Sequence, residues 1–179
     1  MEIKKTALDG VYVLELSYAC DSRGSFVKTF NCNAMENMGL NFSIKESYYS
    51  ISQKNVIRGM HFQAPPFGLK KLVVLCNGEV LDIALDIRKG SVTYGQFFSV
   101  IVSAEKHNAI FMGEGIAHGF LALTDNTIMQ YYVSDVYNAK HDLGIIYNSF
   151  GFEWPVENPI ISQRDLSFLP FSQFVSPFI

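Results

Sequence analysis

Excess positive charge and long apolar segments are both missing from this chain of 179 residues. Lys and Arg number 14 against 17 Asp and Glu, and the net charge of -3 argues against a nucleic-acid binder that relies on bulk electrostatic attraction. No stretch approaches the roughly 20 apolar residues of a membrane span. Residues 1–5 are charged and lack the apolar run of a signal peptide. We therefore expect neither nucleic acid nor a membrane as a partner.

Cysteine is also scarce, and its spacing excludes the common cysteine-based sites. Cys20, Cys32 and Cys76 form no Cys-x-x-Cys pair. An odd number of cysteines without a secretory signal predicts reduced thiols and a cytoplasmic protein. Cys76 falls in an apolar strand pattern, so we expect it to be packed as a small hydrophobic residue.

Helical periodicity is rare, and a period of two dominates the pattern of apolar residues. It predicts strands over residues 11–16, 25–30, 42–52, 56–63, 71–76, 79–86, 94–102, 108–112, 117–123 and 127–134. The only early helix is predicted over residues 33–38, ended by Gly39. Asn77-Gly78 between two strand patterns predicts a β-hairpin with a type I′ turn.

Many short strands with little helix predict an all-β sandwich or barrel. The regular alternation ends after Asp142. Residues 150–179, which include the sole Trp154, predict a tail that wraps the barrel or covers an edge strand. No repeat or linker divides the chain, so residues 1–179 are expected to form one domain.

Two of the four histidines stand out by their surroundings. His61 lies in I-R-G-M-H-F-Q and His118 in G-I-A-H-G-F, each flanked by glycine and aromatic residues. On the inward face of a barrel, such a histidine can transfer protons near neutral pH. The alternative is a purely structural histidine. Lys71, Asp82 and Tyr131 favour a functional site, since a purely structural barrel would prefer Val or Leu at these strand positions.

A metal site is the first alternative for the two histidines. Metal-binding jelly rolls typically present a His-x-His pair, and the second position of such a pair is Gln63 here. Two remaining histidines without a nearby glutamate make a poor ligand set. We therefore expect no metal and no cofactor, and full activity after chelation.

Five ordered blocks resemble one known family. They are D-S-R-G-S-F, I-R-G-M-H-F-Q, K-L-V-V-L-C-N-G-E-V-L-D-I-A-L-D-I-R, G-E-G-I-A-H-G-F and P-I-I-S-Q-R-D, spread over about residues 10–170. Together they resemble the dTDP-4-dehydrorhamnose 3,5-epimerase family. The resemblance implies a jelly-roll (cupin) barrel with short helices, usually a homodimer. It also implies epimerisation of a nucleotide-diphosphate 4-keto sugar at C3 and C5 without a metal, in the synthesis of surface-polysaccharide sugars.

The resemblance assigns four catalytic roles. His61 matches the general base, and Asp165 matches the carboxylate that orients it. Lys71 matches the lysine near the C4 oxygen of the sugar, where a cation stabilises an enolate. Tyr131 matches the tyrosine that donates a proton on the opposite face.

The resemblance also suggests the substrate-binding set. Arg58, His118 and Arg164 match groups near the pyrophosphate. Arg23, with Phe26 in the same block, matches an arginine supplied by the partner subunit. The family usually has Glu at the position of Lys28 and Gln-x-Asn at the positions of Glu46 and Tyr48, and these three positions resemble nucleotide contacts.

The changes at these three nucleotide-contact positions predict a preference for a base other than thymine. A carboxylate at Glu46 suits the two N–H donors of guanine better than thymine, which offers one. Lys28 adds a cation and Tyr48 a stacking surface. If these side chains line the base, GDP should bind more tightly than dTDP. The substrate is then a GDP- or CDP-linked sugar, for example a GDP-linked 4-keto heptose, instead of a dTDP-linked 4-keto-6-deoxyhexose.

Two other functions stay open at the level of the sequence. One is a relative that inverts C3 or C5 alone, or isomerises the keto sugar. The other is a non-catalytic jelly-roll module that binds a sugar nucleotide, which should lack the pair of His61 and Asp165. Retention of that pair favours an enzyme.

Overall fold

The computed structural model describes residues 1–179, with thirteen strands and two short α-helices. The strands are β1 (Glu2–Lys5), β2 (Val11–Glu15), β3 (Ser17–Asp21), β4 (Gly24–Lys28), β5 (Glu46–Ser52), β6 (Ile57–Gln63), β7 (Lys71–Asn77), β8 (Glu79–Asp86), β9 (Phe97–Ser103), β10 (Asn108–Met112), β11 (Ile116–Ala122), β12 (Thr127–Val133) and β13 (Asp142–Gly144). The helices are α1 (Cys32–Asn37) and α2 (Gln163–Leu166), and a 3-10 helix spans Phe171–Gln173.

Two antiparallel sheets form the body of the molecule. One has the order β1-β2-β10-β7-β12-β5 and the other the order β13-β6-β11-β8-β9. A core cluster joins them, because Val73 and Met129 of the first sheet pack with Ala84 and Phe120 of the second. The architecture is the predicted jelly-roll barrel, and β3 and β4 form a separate two-stranded ribbon.

The predicted hairpin between β7 and β8 is wrong. β7 pairs with β10 and β12, whereas β8 pairs with β9 and β11, so Asn77 and Gly78 connect the two sheets. Gly78 does have the predicted positive φ, 83°. The turn residues determine only the local backbone conformation, whereas the choice of neighbouring strands depends on how each strand is buried. Both strands are buried over most of their length, and each has neighbours on both sides.

The chain after β12 covers one edge of the second sheet, as the sequence predicted. β13 pairs with β6, and Ile160 forms a bridge with Val56 farther along the same edge. Phe150 and Phe178 pack into a second core cluster together with Phe62. This course places helix α2 beside β6.

Two smaller predictions have different outcomes. The helix predicted over residues 33–38 is α1, with Asn31 as N-cap and Gly39 at φ 76° after its end. Cys76 is exposed, so its predicted packing is wrong; the last two residues of β7 extend beyond the buried part of the strand. Neither helix has the length and apolar character required to cross a membrane.

Candidate active site

A pocket of about 360 Å³ lies between the two sheets, lined from both sides. Eight residues predicted for the site contribute to its wall: Glu46, Tyr48, Arg58, His61, Lys71, His118, Tyr131 and Arg164. The wall also includes Ser50, Gln63, Tyr137 and Asp142, which the sequence did not indicate as site residues. Tyr137 and Asp142 follow the last long strand, where no periodic pattern reveals which side chains face inward.

Glycines allow β6 and β11 to approach closely beside the pocket. A Cβ on Gly59 would overlap the Cα atom of Gly119, and a Cβ on Gly119 would lie 2.6 Å from Met60 Sδ. The register pairs His61 directly with His118, next to a bulge in β11. The glycines that marked both histidines in the sequence therefore allow the close strand contact that places His61 opposite His118.

His61 and Asp165 form a hydrogen-bonded pair. His61 Nε2 lies 2.8 Å from Asp165 Oδ1, and the Gly59 N–H donates to Asp165 Oδ2 at 3.1 Å. Ser162 caps α2 by accepting from the Asp165 N–H. Burial alone would raise the pKa of Asp165, but the hydrogen bonds from His61 and Gly59 hold that pKa below its usual value. The carboxylate is thus charged, and Nδ1 of His61 is left for the pocket.

Lys71 places a buried amine next to His61. Its Nζ donates to the His61 carbonyl at 3.2 Å, and only 7% of the residue is exposed. Burial lowers the pKa of Lys71 to about 8, against the opposing effect of the Asp142 and Asp82 carboxylates. The amine is therefore mainly a cation at neutral pH, without a carboxylate in hydrogen-bond contact.

Tyr131 faces the pocket from the other sheet. Its ring stacks on Tyr48 with centroids 4.8 Å apart and planes at 20°. Burial raises the pKa of Tyr131 far above its ordinary value and that of Tyr48 to about 12. Both phenols hence keep their protons. Because β6 and β12 belong to opposite sheets, His61 and Tyr131 address the pocket from opposite sides.

A second histidine–carboxylate pair lies next to the first. His118 Nε2 is 2.9 Å from Asp82 Oδ2, and both residues are buried. The His118 ring also meets Tyr131 edge-on, with centroids 6.1 Å apart. Asp82 was noted in the sequence only as a polar residue in a strand. Its charge within an apolar strand pattern was the available signal for its place in the site.

The remaining charged side chains occupy the rim of the pocket. Arg164 donates to the Asp142 carboxylate at 2.7 Å, and Glu46 accepts from the Tyr137 N–H at 2.6 Å. Arg58 is largely exposed in the strand that carries His61. Two guanidinium groups at one opening suit an anionic ligand.

Three predicted residues lie away from the pocket within this chain. Arg23 is in the turn between β3 and β4 and pairs with Asp21. Phe26 is 65% exposed on β4 and, with Lys28, lines a different pocket. The β3–β4 ribbon therefore contributes nothing to the site of its own chain.

No group of three or more His, Cys, Asp or Glu side chains is arranged to hold a metal ion. Each of the two pocket histidines is paired with a single carboxylate. Each pair thus has the arrangement that orients an imidazole for proton transfer or hydrogen bonding.

A histidine held by a carboxylate, a buried cation and a protonated phenol on the opposite side are the kinds of group that an epimerase requires. Such an enzyme removes a proton from carbon beside a carbonyl and returns one to the other face. The jelly-roll fold and this pocket thus define a proton-transferring isomerase.

Comparison with known proteins identifies the family. The profile described as dTDP-4-dehydrorhamnose 3,5-epimerase matches residues 5–173. The enzyme of that name from Methanothermobacter thermautotrophicus is 39% identical over 175 residues, which cover 94% of each chain. The chain belongs to the dTDP-4-dehydrorhamnose 3,5-epimerase family and is a nucleotide-sugar epimerase, as its sequence blocks predicted.

Solved structures agree with this assignment. The Bacillus anthracis dTDP-4-dehydrorhamnose 3,5-epimerase, with TDP and PPi bound, has a TM-score of 0.91 at 33% identity and covers 94% of this chain and 98% of its own. The Legionella pneumophila enzyme in complex with dTDP-4-keto-L-rhamnose has a TM-score of 0.92 at 31% identity, covering 97% and 94%.

Proposed function

We propose that this chain inverts C3 and C5 of a dTDP-linked 4-keto-6-deoxy sugar. The position of His61 and Tyr131 on opposite sheets, facing one pocket, carries the proposal. Inversion at carbon requires proton removal from one face and delivery from the other. The C4 ketone makes the hydrogens on C3 and C5 acidic, so the same two groups can serve both centres in turn.

Each proton transfer is assigned to a named atom. His61 Nδ1 removes the carbon-bound proton, and Asp165, bound to Nε2, balances the imidazolium that forms. The Lys71 ammonium stabilises the enolate oxygen on C4. Tyr131 donates its O–H proton to the opposite face of the carbon. Return of one proton from solvent to Tyr131 and loss of one from His61 restores the enzyme.

The nucleotide portion lies at the charged rim in this proposal. Arg58, His118 and Arg164 bind the diphosphate, and Glu46 and Tyr48 lie toward the nucleoside. The β3–β4 ribbon of a second subunit supplies Arg23, Phe26 and Lys28, which lie away from the pocket of their own chain. The functional unit is thus a homodimer.

Thymine is proposed as the base instead of guanine. The charge argument for guanine needed Lys28, Glu46 and Tyr48 around one base. In the pocket, however, Glu46 already accepts from the Tyr137 N–H, and Tyr48 stacks on Tyr131. The relatives that match this chain carry dTDP in their names.

Calorimetry with dTDP and GDP tests the choice of base. We expect dTDP to bind at least about tenfold more tightly, the difference made by one well-placed hydrogen bond to a base edge. Tighter binding of GDP would instead favour the guanine-based argument from Glu46 and Lys28. CDP serves as a second pyrimidine control, because it shares the ring size of thymine but not its pattern of donors.

Deuterium uptake tests the base. The wild-type protein, incubated with a dTDP-linked 4-keto-6-deoxy sugar in deuterated water, should incorporate deuterium at C3 and C5. His61→Asn should reduce uptake at both carbons by at least about a hundredfold, the usual contribution of a general base. His141→Asn, a histidine outside the pocket, is the matched control. Substantial uptake by His61→Asn would contradict the assignment.

A cytoplasmic location and a role in the synthesis of surface-polysaccharide sugars belong to the same proposal. The three free, exposed thiols are compatible with a reducing compartment.

A further inference from the structure

Asp82 is a buried carboxylate to which neither the family resemblance nor the mechanism above assigns a role. It is fully buried, and its hydrogen bond to His118 Nε2 at 2.9 Å is the contact that satisfies it. Its second oxygen, Oδ1, has no partner. Asp86, four residues along β8 and equally buried, instead meets the Arg88 guanidinium and two hydroxyl groups. Asp82 is therefore the less well satisfied of two buried charges on one strand.

The charge of Asp82 decides what His118 can offer the pocket. A buried carboxylate requires a paired positive charge, and the group that touches Asp82 is the His118 imidazole. With Nε2–H bound to Asp82, a neutral imidazole would present Nδ1 as an acceptor. An imidazolium presents Nδ1–H as a charged donor. Only the second form attracts an anionic oxygen.

Other charged and titratable groups near His118 do not replace this pairing. They are Arg58 and His61 on β6, Lys71 on β7 and Tyr131 on β12. The other carboxylates of the pocket wall have partners of their own, since Glu46 accepts from the Tyr137 N–H and Asp142 from Arg164. Arg58 and Lys71 are cations, and Tyr131 keeps its proton, so none of these three supplies the negative charge that an imidazolium needs. The Asp82 carboxylate also opposes the loss of the Lys71 proton through space, without a hydrogen bond between them.

We propose that Asp82 is a positioning residue that keeps His118 as an imidazolium with its Nδ1–H directed at the diphosphate of the substrate. This inference rests on the proposed function, because it needs a nucleoside diphosphate in the pocket. Asp82 itself touches no substrate atom and acts through His118.

Binding of dTDP to Asp82→Asn at two pH values tests the proposal. Asparagine keeps the shape but removes the charge, so His118 of the variant is no longer held as an imidazolium and offers the diphosphate a charged donor only after it takes up a proton. We expect the ratio of the variant Kd to the wild-type Kd to reach about tenfold at pH 8 and to be several times smaller at pH 6. Both proteins are compared in a Lys71→Arg background, because the loss of Asp82 would otherwise shift the titration of Lys71 between them.

Two controls separate this role from a structural one. Asp86→Asn makes the same change at a buried carboxylate on the same strand, and its Kd ratio should not vary with pH. Thymidine lacks the diphosphate, so its affinity should be the same for wild type and Asp82→Asn. A Kd ratio for Asp82→Asn that is equal at pH 6 and pH 8 would overturn the proposal.

Nitrogen-15 NMR of the wild-type protein tests the charge without relying on a variant that must fold. With labelled histidine, and His118→Asn to assign the signals, we expect both His118 ring nitrogens to be protonated at pH 8. A neutral tautomer of His118 in the dTDP complex would overturn the proposal even if Asp82→Asn proved unstable. A wild-type protein that binds no nucleoside diphosphate would contradict the proposed function as well, whereas dTDP binding with a neutral His118 would contradict the role of Asp82 alone.

Discussion

Lys71 and His61 are tied together through the backbone. The Lys71 amine on β7 donates to the His61 carbonyl on β6, so this hydrogen bond spans the two sheets and holds the two residues together. No carboxylate is in direct contact with the Lys71 amine, and burial lowers its pKa to about 8. That value places its loss of charge within the range where the enzyme can be assayed.

The pH dependence of activity follows from the protonation of Lys71. The cation is present below its pKa and is lost as pH rises through about 8, and the enolate stabilisation proposed for it is lost at the same time. We expect kcat/KM, which reports the free enzyme, to fall above pH 8. Lys71→Arg should have lower activity overall, with the alkaline decline displaced above pH 9, because arginine keeps its charge.

A neighbouring lysine provides the control for this profile. Lys70 sends its amine to the Asn41 carbonyl, away from the pocket. Lys70→Arg should retain the wild-type alkaline decline. An identical decline in Lys71→Arg would mean that another group causes it.

Sequence alone indicated the site residues that stand out against their surroundings. His61 and His118 are flanked by glycines, and Lys71 is polar in an apolar strand. Asp165 became recognisable only through the family block, since one aspartate in an irregular tail has no local signature. Tyr137 and Asp142 were missed because their approach to the pocket depends on how the chain turns after β12.

At the scale of elements, the close approach of β6 and β11 fixes the geometry of the site. The contact between Gly59 and Gly119 sets the distance between the strands that carry His61 and His118. A side chain at either glycine must push the strands apart, and the two imidazoles with them. This contact therefore constrains both the packing of the two strands and the geometry of the site.

Alanine substitutions at two glycines separate the cost of a positive φ from the cost of the steric overlap that a Cβ at Gly59 would cause. Gly59 has φ 137° and no room for a Cβ, so Gly59→Ala should lower the free energy of unfolding by about 3–5 kcal/mol. Gly39 also has a positive φ, 76°, but nothing lies within 4 Å of the added Cβ. Gly39→Ala should therefore cost only about 1–2 kcal/mol. Urea unfolding of both variants measures the difference, and equal losses would refute a steric origin.

The strands were predictable from alternation, whereas their pairing was not. The pattern located β10 at its observed bounds and β12 to within one residue. The Asn77-Gly78 signal nevertheless suggested the wrong neighbours for β7 and β8. A turn sequence reports backbone conformation over a few residues, but the choice between one sheet and two depends on contacts distant in sequence.

At the scale of the whole molecule, the β3–β4 ribbon exposes large aromatic side chains to solvent. Tyr18 and Phe26 are 59% and 65% exposed there. Arg23 lies in its turn, far from any diphosphate that its own pocket would hold. A ribbon with these features suits insertion into a second subunit.

Complementation between two inactive variants tests whether the sites are shared. Arg23→Ala and His61→Asn should each be inactive alone. After random exchange of subunits, half of the dimers are mixed, and each mixed dimer has one intact site, so activity should recover to about a quarter of wild type. The mixture of His61→Asn with Lys71→Met is the control. If each pocket wall comes from a single subunit, every site in a mixed dimer carries one of the two changes, and no activity should recover.

Absence of recovery, in a sample shown by mass spectrometry to contain mixed dimers, would count against shared sites. Recovery in the Lys71→Met control as well would place Lys71 and His61 of different subunits in one site. Recovery confined to the Arg23→Ala mixture supports the ribbon as the shared part.

The segment that carries Asp165 is made after every strand of the two large sheets. Asp165 reaches His61 from α2, and the segment is fastened by Phe178, whose carbonyl accepts from the Lys89 N–H at 3.1 Å. During synthesis, the strands that bear His61, Lys71 and Tyr131 therefore leave the ribosome before the partner of the base does. In the proposed mechanism, a nascent barrel therefore has His61 without the carboxylate that orients it, and catalytic competence arrives only when α2 docks beside β6.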